Sequence, residues 1–264
     1  MCFFTDQLNR TIELSSMPGR IVSLVPSQTE LLFDLGLDAE VIGITKFCVH
    51  PQDWFRKKER IGGTKNINLA KVRQLQPDLI IANKEENVKE QIDALASEFP
   101  VWISDINDLE TAYEMMLAIG QITGSIDKAE KLVNTIKTGF AKLPAISKKL
   151  NAAYLIWKDP YMTVGSDTFI HHTLSAAGFD NVFRNRKRYP VIEISALQES
   201  NCELLFLSSE PYPFKQKHID ELQASLPQTK ILLVDGEMFS WYGSRLAKAP
   251  MYFQTLHQQL AGKP

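Results

Sequence analysis

The stretch TKFCVHP (45–51) places Cys48 and His50 two residues apart, directly after an apolar run and before a proline. Such a pair can belong to a metal site, act as nucleophile and base, or line a pocket. A zinc site needs three or four ligands, and no second pair at suitable spacing occurs in the sequence. A catalytic dyad is disfavoured because alternate residues of an extended stretch do not place the base for in-line proton transfer. Two interpretations remain: a buried cysteine beside a turn histidine, or a His50 that lines a cleft.

The composition is that of an ordinary globular protein, with 44% apolar and 23% charged residues in 264. The net charge of −2 argues against a nucleic-acid partner, because phosphate neutralisation needs a dense basic surface. No stretch approaches the length of a membrane span, so we expect no embedding in a bilayer. The sequence contains no GxGxxG, Walker A, HExxH or GxSxG motif. We therefore expect a non-enzyme with no catalytic residues, no metal site and no resident cofactor.

The N-terminus, MCFFTDQLNRTIELSS, lacks the basic segment, long apolar segment and small-residue cleavage site of a secretory leader. Cys2, Cys48 and Cys202 show no CxxC spacing, which suits a reducing compartment. On the sequence alone we expect a cytoplasmic protein.

Short apolar runs alternate with stretches of helical periodicity along most of the chain. The predicted strands are IVSLVP, VIGIT, DLIIA, VWIS, AAYLIW, ELLFLSS and ILLVD. The capping-box pattern of SQTE (27–30) predicts a helix that ends near Gly36, and Asn68 and Asp167 are the predicted caps of two more. Further predicted helices cover 85–98, 218–226 and 247–260. This alternation predicts a mostly parallel sheet covered on both faces.

Residues 108–142 break the alternation, because apolar positions at helical spacing continue with only Gly124-Ser125 interrupting. The segments on either side repeat one order of short helix, strand, polar loop, helix and strand. We therefore predict an α/β protein of two similar lobes with mostly parallel sheets. The predicted lobes are 1–107 and 150–264, joined by linker helices over 108–149. Ligands of such sheets bind outside the carboxyl ends of the strands, so we expect a cleft between the lobes.

The series RIVSLVPSQTELLFDLGL, VIGITKFCVHP and RIGGTKNINLAKVRQLQPDLIIA resembles the N-terminal lobe of the helical-backbone substrate-binding proteins. These are the receptors of ABC importers for cobalamin, heme and iron-siderophore complexes. The stretch IWKDPYMTVGSDTFIHHTLSAAGFDNVF, a Tyr-Pro pair at 189–190 and a Ser-Arg pair at 244–245 resemble the second lobe. The resemblance covers residues 10–260 and is nearest to the cobalamin-binding branch. It implies a monomer with a long rigid helix between the lobes, and a family that is normally periplasmic or surface-anchored.

The resemblance also implies which residues contact the ligand. The expected contacts of both lobes are Ser27, His50, Thr64, Lys65, Trp157, Tyr161, Met162, Arg188, Tyr189, Trp241, Tyr242 and Arg245. Aromatic side chains suit a flat corrin or porphyrin, because each buries a large area and stacks on its face. Core packing is the alternative for the tryptophans and tyrosines among them.

A corrinoid is the expected ligand, but the residues leave other metal chelates open. Lys65, Arg188 and Arg245 could instead serve an anionic siderophore. The cobalamin receptor has a tyrosine where this chain has His50, and an indole where it has Thr64; an imidazole can coordinate cobalt or iron. Heme is the third possibility. A cytoplasmic enzyme or sensor acting on a corrinoid or metal cofactor is the alternative from another class, and no acid–base pair supports it.

Receptors of this family present one acidic residue at the tip of each lobe, which pairs with arginines of the membrane permease. At the aligned positions this chain has Ala70 and Ser195. Lys71 and Arg73 would repel an arginine pocket, whereas Glu199 offers partial compensation in the second lobe. We therefore expect a metal chelate as the small-molecule partner and no docking onto an importer in the usual way.

Overall fold

The computed structural model describes residues 1–144 and 149–262. The chain divides into two compact units. Unit 1 comprises Met1–Ile106, Glu110–Ile136 and Tyr242–Arg245, and unit 2 comprises Asn107–Leu109, Lys137–Trp241 and Leu246–Pro264. The predicted linker includes residues 145–148, and the predicted second lobe includes residues 263–264; both stretches lie outside the described residues.

Unit 1 contains a two-stranded hairpin and a five-stranded parallel sheet. Its strands are β1 Cys2–Thr5, β2 Thr11–Leu14, β3 Ile21–Ser23, β4 Val41–Ile44, β5 Glu59–Arg60, β6 Leu79–Asn83 and β7 Val101–Ser104. The hairpin pairs β1 with β2, and the parallel sheet has the order β5-β4-β3-β6-β7. The helices that lie wholly or mostly in this unit are α1 Pro26–Asp34, α2 Gln52–Lys57, α3 Leu69–Leu75, α4 Lys89–Ala96, α5 Leu109–Ile122 and α6 Ile126–Ala141.

Unit 2 contains a four-stranded parallel sheet of order β11-β10-β8-β9. Its strands are β8 Leu150–Leu155, β9 Phe179–Asn181, β10 Leu204–Ser208 and β11 Lys230–Val234. Its helices are α7 Phe169–Ala176, α8 Ile194–Glu199, α9 Gln216–Ser225, α10 Glu237–Ser240 and α11 Ala249–Leu260. A 3₁₀ helix spans Ser244–Ala247.

The two parallel sheets repeat one topology. In unit 1, β6 lies between β3 and β7, and in unit 2, β10 lies between β8 and β11. A short helix precedes each of these central strands, α3 in unit 1 and α8 in unit 2. Every residue of β6 and of β10 is buried, as expected for strands covered on both faces. The predicted α/β class with two similar units and parallel sheets is confirmed.

The segment 108–142 forms two helices rather than one long helix. Helix α5 ends at Ile122 and α6 begins at Ile126. Between them Gly124 has a φ of +67°, a left-handed conformation that ends a helix. The amide of Ser125 then returns to the carbonyl of Gly120 at 2.7 Å, which fixes the turn.

Two of the three predicted caps are wrong. Helix α1 begins at Pro26, whose fixed φ suits the first helical position, and Ser27 lies inside the helix. The cap of α7 is Thr168, whose Oγ1 accepts the amide of His171 at 3.3 Å, while Asp167 accepts the amide of Arg188 at 2.6 Å. The cap of α3 is confirmed, because Asn68 Oδ1 accepts the amide of Lys71 at 3.1 Å.

Gly120 lies where α5 approaches α6, and a Cβ there would stand 2.5 Å from the Cβ of Ala129. Gly120→Ala should lower the free energy of unfolding by about 1–3 kcal/mol, the range for overpacking a core contact. Urea denaturation measures the change. Gly19→Ala is the control, since its Cβ would have its nearest neighbour at 3.9 Å. If adding Ala129→Gly to Gly120→Ala restores no stability, the packing explanation fails.

Candidate ligand-binding site

The loops that follow the parallel strands of unit 1 lie at one edge of its sheet, because parallel strands all end on the same side. His50 lies in the loop after β4, Thr64 and Lys65 follow β5, and Glu86 follows β6. We term these loops the carboxyl edge of unit 1; they are residues 45–51, 61–68 and 84–88.

The loop after β4 alternates buried and exposed side chains. Cys48 is fully buried, and its Sγ lies 3.1 Å from the hydroxyl oxygens of both Thr29 and Thr45. Burial raises the pKa of the Cys48 thiol, which disfavours a thiolate nucleophile. Phe47 and Val49 on either side are 51% and 40% exposed. The predicted packing of Cys48 within its unit is confirmed, and sequence reasoning missed the two exposed apolar side chains.

The loop that carries Thr64 and Lys65 is held by two amide side chains. Asn87 donates from Nδ2 to the carbonyl of Thr64 at 3.1 Å. Gln91 donates to the carbonyl of Lys65 at 3.2 Å and accepts the amide of Ile67 at 2.8 Å. Thr64 is buried and Lys65 is exposed, with its ammonium directed to the carbonyl of Glu85. The loop is therefore fixed by directional hydrogen bonds.

A buried polar network supports the side chain of Asn87, which holds this loop. Asn83, the last residue of β6, accepts the amides of Glu85 and Glu86 on its Oδ1 at 2.8 and 3.0 Å. Its Nδ2 donates to Ser104 Oγ at 3.0 Å, and its own amide donates to Asn87 Oδ1 at 2.9 Å. The helix predicted over 85–98 therefore begins only at Lys89. The stretch NKEEN (83–87) after a buried strand indicates a turn rather than a helix, because asparagine side chains readily accept backbone amides in turns.

Glu86 is a further functional candidate that sequence reasoning missed. Its side chain is half-buried at the carboxyl edge of unit 1. Burial raises the pKa of Glu86, and the nearby ammonium of Lys65 opposes the rise. The charge of Glu86 also contributes to the raised pKa of Cys48, so the two loops are electrostatic neighbours. This edge can accept hydrogen bonds from a ligand.

Arg245, one of the predicted ligand contacts, forms a buried ion pair in unit 1. Its Nε and Nη2 donate to the two carboxylate oxygens of Glu30 at 2.8 Å each. Both side chains are less than a tenth exposed. Gly243 lies against α1, where a Cβ would stand 2.8 Å from the carbonyl oxygen of Ser27. The segment 242–245 is thus anchored on α1, and the charge of Arg245 is neutralised within the protein.

The turn after β8 carries three predicted contacts of unit 2. Trp157 is 41% exposed, while Tyr161 and Met162 are half-buried. A short bridge closes the turn, because the amide of Met162 donates to the carbonyl of Trp157 at 3.1 Å. The turn therefore presents the indole of Trp157 at the carboxyl end of β8.

Arg188 and Tyr189 lie in a second exposed loop of unit 2. The Arg188 guanidinium lies 5.6 Å from the centre of the Tyr189 ring, within cation–π range. Arg188 has a φ of +57°, and its amide donates to Asp167. A cation beside an aromatic ring is thereby fixed on this loop.

Trp241 and Tyr242 are each 7% exposed. The indole of Trp241 donates to Glu210 Oε1 at 2.9 Å in unit 2, whereas Tyr242 belongs to unit 1. Their role in ligand contact, like that of the other predicted contacts, stays a prediction.

Within residues 1–144 and 149–262, no group of three or more His, Cys, Asp or Glu side chains is arranged to hold a metal ion. Over the same part of the chain, no helix combines the length and the apolar content that crossing a bilayer requires.

The protein has two α/β units with parallel sheets, and aromatic side chains are exposed where strands end. This arrangement is typical of ligand-binding proteins. A family model described as periplasmic binding protein matches residues 21–229, and the chain belongs to that family.

Two relatives and one solved structure illustrate the similarity. An uncharacterised ABC transporter substrate-binding lipoprotein, YvrC of Bacillus subtilis, is 31% identical over 212 residues, which is 76% of this chain and 67% of that protein. A vitamin B12-binding protein of Yersinia pestis is 23% identical over 267 residues, covering 96% of this chain and 91% of that protein. The periplasmic heme-binding protein RhuT of Roseiflexus shares the fold with a TM-score of 0.77 at 19% identity, over 89% of this chain and 98% of that chain.

Glu30→Gln should lower the free energy of unfolding by about 3–5 kcal/mol, because it removes the carboxylate charge that pairs with the buried Arg245 guanidinium. Denaturant melts measure the effect. Asp53→Asn is the matched control and should change stability far less, since Asp53 and Lys57 form an exposed pair at 3.6 Å. Equal effects of the two substitutions would show that the Glu30–Arg245 pair is not desolvated.

Proposed function

We propose that this protein is the substrate-binding component of an ABC-type system and binds a corrinoid at loops that follow its parallel strands, with no catalytic step. The observation that carries the proposal is the exposure of large apolar side chains at these loops. Phe47 is 51% exposed, Val49 40% and Trp157 41%. Rings exposed at a site that ligands of parallel sheets use are suited to stack on a flat macrocycle.

The buried ion pair of Arg245 favours a corrinoid over an anionic chelate, because it removes one cation from those expected to meet a ligand. A corrinoid has amide groups around its ring, whereas heme carries two propionates and catecholate siderophores are anionic. Arg245 is neutralised by Glu30, and Lys65 lies beside Glu85 and Glu86. The carboxylates can accept hydrogen bonds from corrinoid amides, and they would repel a ligand carboxylate.

The relatives support the same assignment. The Yersinia protein that matches almost the whole chain is named a vitamin B12-binding protein. The Bacillus relative is named an ABC transporter substrate-binding lipoprotein, which makes a membrane permease the expected macromolecular partner.

Heme or an iron-siderophore complex is the second candidate. Arg188 is exposed beside Tyr189 and offers a cation to a ligand carboxylate. The solved structure of a heme-binding protein also shares the fold.

Cobalamin and cobinamide should each bind and quench tryptophan fluorescence, because a corrin that stacks on Trp157 absorbs its emission. Trp157→Phe should remove a large part of the quenching and weaken binding by about 0.5–1.5 kcal/mol, the scale for one aromatic contact. Calorimetric titration with cobalamin, cobinamide, hemin and a ferric siderophore measures the preference. Binding of hemin or siderophore without corrinoid binding would replace the leading proposal by the second candidate.

We predict that His50 contacts the ligand whereas Cys48 does not. His50→Ala should weaken corrinoid binding by about 1–3 kcal/mol, the cost of a lost buried polar partner. Cys48→Ser is the control in the same loop, because the buried serine hydroxyl can form hydrogen bonds with the hydroxyl oxygens of Thr29 and Thr45. Calorimetry at one pH compares the two variants. The assignment is wrong if Cys48→Ser weakens binding more than His50→Ala does.

The positions that would meet a permease lack acidic side chains. Ala70 and Ser195 are both exposed and occupy the second position of α3 and α8, so the internal repeat makes them equivalent. Lys71 pairs with Glu59 at 2.5 Å and Arg73 with Glu98 at 2.7 Å. These pairs reduce the repulsion that the basic side chains would otherwise add. We propose that weak docking follows from the two missing carboxylates.

Ala70→Glu combined with Ser195→Glu should create salt-sensitive association with a cobalamin-type permease, since a buried interface charge left without its opposite costs about 2–5 kcal/mol of association. A pull-down with detergent-solubilised permease at low and high salt measures it. Gln74→Glu adds the same charge at another exposed position of α3 and should have no such effect. Tight, salt-sensitive association of the unaltered protein would contradict the prediction.

A further inference from the structure

The exposed Trp157 of unit 2 rests on side chains that lead to α9. Its ring meets Tyr212 edge-on, with the ring centres 5.7 Å apart. Tyr212 packs in turn against His218, with centres 5.5 Å apart. Beside this contact, Lys158 Nζ lies 2.5 Å from Glu221 Oε2 of α9. The position of Trp157 therefore depends on the first turns of α9.

His218 is fixed within α9 by a backbone hydrogen bond. Its Nδ1 accepts the amide of Lys215 at 2.9 Å, in the manner of a capping box. The imidazole is 3% exposed. Because Nδ1 is an acceptor, the proton of the neutral ring is on Nε2, which lies 3.4 Å from the hydroxyl of Tyr212.

We propose that His218 is the positioning residue of this aromatic surface and holds Tyr212 and Trp157 in place only as the neutral imidazole. Acid would then release the surface. A contact between Trp157 and the ligand rests on the proposed function, whereas the link from His218 to Trp157 does not.

Protonation of His218 is incompatible with the observed hydrogen bond. A proton on Nδ1 would face the Lys215 amide, so two donors would oppose each other and the N-terminus of α9 would lose its cap. The charged groups near the ring are Lys158 from the turn after β8, Lys215, Lys217 and Glu221 from the α9 segment, and the hydroxyl of Tyr212 from the loop after β10. Only Glu221 among them favours the imidazolium.

Burial lowers the pKa of His218, with Lys158 and Lys217 adding to the effect and Glu221 opposing it. The unfolded chain then binds a proton at a higher pH than the folded protein does. The contribution of the neutral His218 to the free energy of unfolding is therefore fully present above the ordinary histidine pKa of about 6.5. It is lost as the pH falls from there through the lowered pKa of His218 in the folded protein.

The first test needs no ligand. The emission of Trp157, obtained as the difference between the protein and Trp157→Phe, should change at a pH lower than the ordinary histidine pKa of about 6.5, because burial lowers the pKa of His218 in the folded protein. His218→Gln should abolish the change, because a glutamine at this helix position accepts the same amide but does not titrate. His257→Gln is the matched control and should keep it, since His257 packs on Phe179 elsewhere in unit 2. A change that persists in His218→Gln, or no change in the unaltered protein, would overturn the proposal.

The second test measures cobinamide affinity by calorimetry at neutral and acid pH. Acidification should lower the affinity of the unaltered protein about fivefold more than that of His218→Gln, the change expected for one lost hydrogen bond; protonation of Glu86 affects both proteins equally. His218→Leu, which removes both the cap and the titration, should weaken binding at every pH. An equal acid-induced loss in the unaltered protein and in His218→Gln would count against the proposal. Failure of cobinamide to bind at any pH would overturn the corrinoid assignment, and the fluorescence test would still decide the role of His218.

Discussion

Parallel strands that are buried at every position end in backbone groups that need hydrogen-bond partners in the loops that follow. Both central strands meet this constraint with a polar last residue. Asn83 ends β6 and accepts two amides of the following loop. Ser208 ends β10; its hydroxyl donates to the carbonyl of Glu210 at 2.5 Å and accepts the hydroxyl of the buried Tyr154 at 3.0 Å. The loops that could meet a ligand are therefore fixed by the same hydrogen bonds that complete the sheets.

The two units satisfy this common constraint with different chemistry. Unit 1 holds its loops with the amide side chains of Asn83, Asn87 and Gln91, which do not titrate. Unit 2 supports Trp157 through ring packing on Tyr212 and an ion pair of Lys158, both of which depend on α9. An internal repeat in the backbone thus carries one edge held by amide side chains and one edge held by ring packing.

Hydrophobic periodicity predicted the architecture because burial of apolar faces decides which segments become strands and helices. It did not predict which side chains close the ends of those elements. Ser27 was predicted to cap α1, but the helix begins at Pro26 and Ser27 lies inside it. In the segment after β6, hydrogen bonds of Asn83 and Asn87 form a turn where the apolar spacing predicted a helix. The pairing of Arg245 with Glu30 joins residues 215 positions apart, so no local pattern reports it. The family resemblance implies a ligand contact for Arg245, which stays a prediction, and it does not report the ion pair.

The segment Tyr242–Arg245 belongs to unit 1 although unit 2 residues flank it on both sides. During synthesis Glu30 is made 215 residues before its partner Arg245. A ribosome-bound or truncated chain that ends before residue 242 therefore contains the complete sheet of unit 1 but lacks the Arg245 guanidinium that pairs with the carboxylate on α1. Completion of the first unit is in this way coupled to the synthesis of residues 242–245.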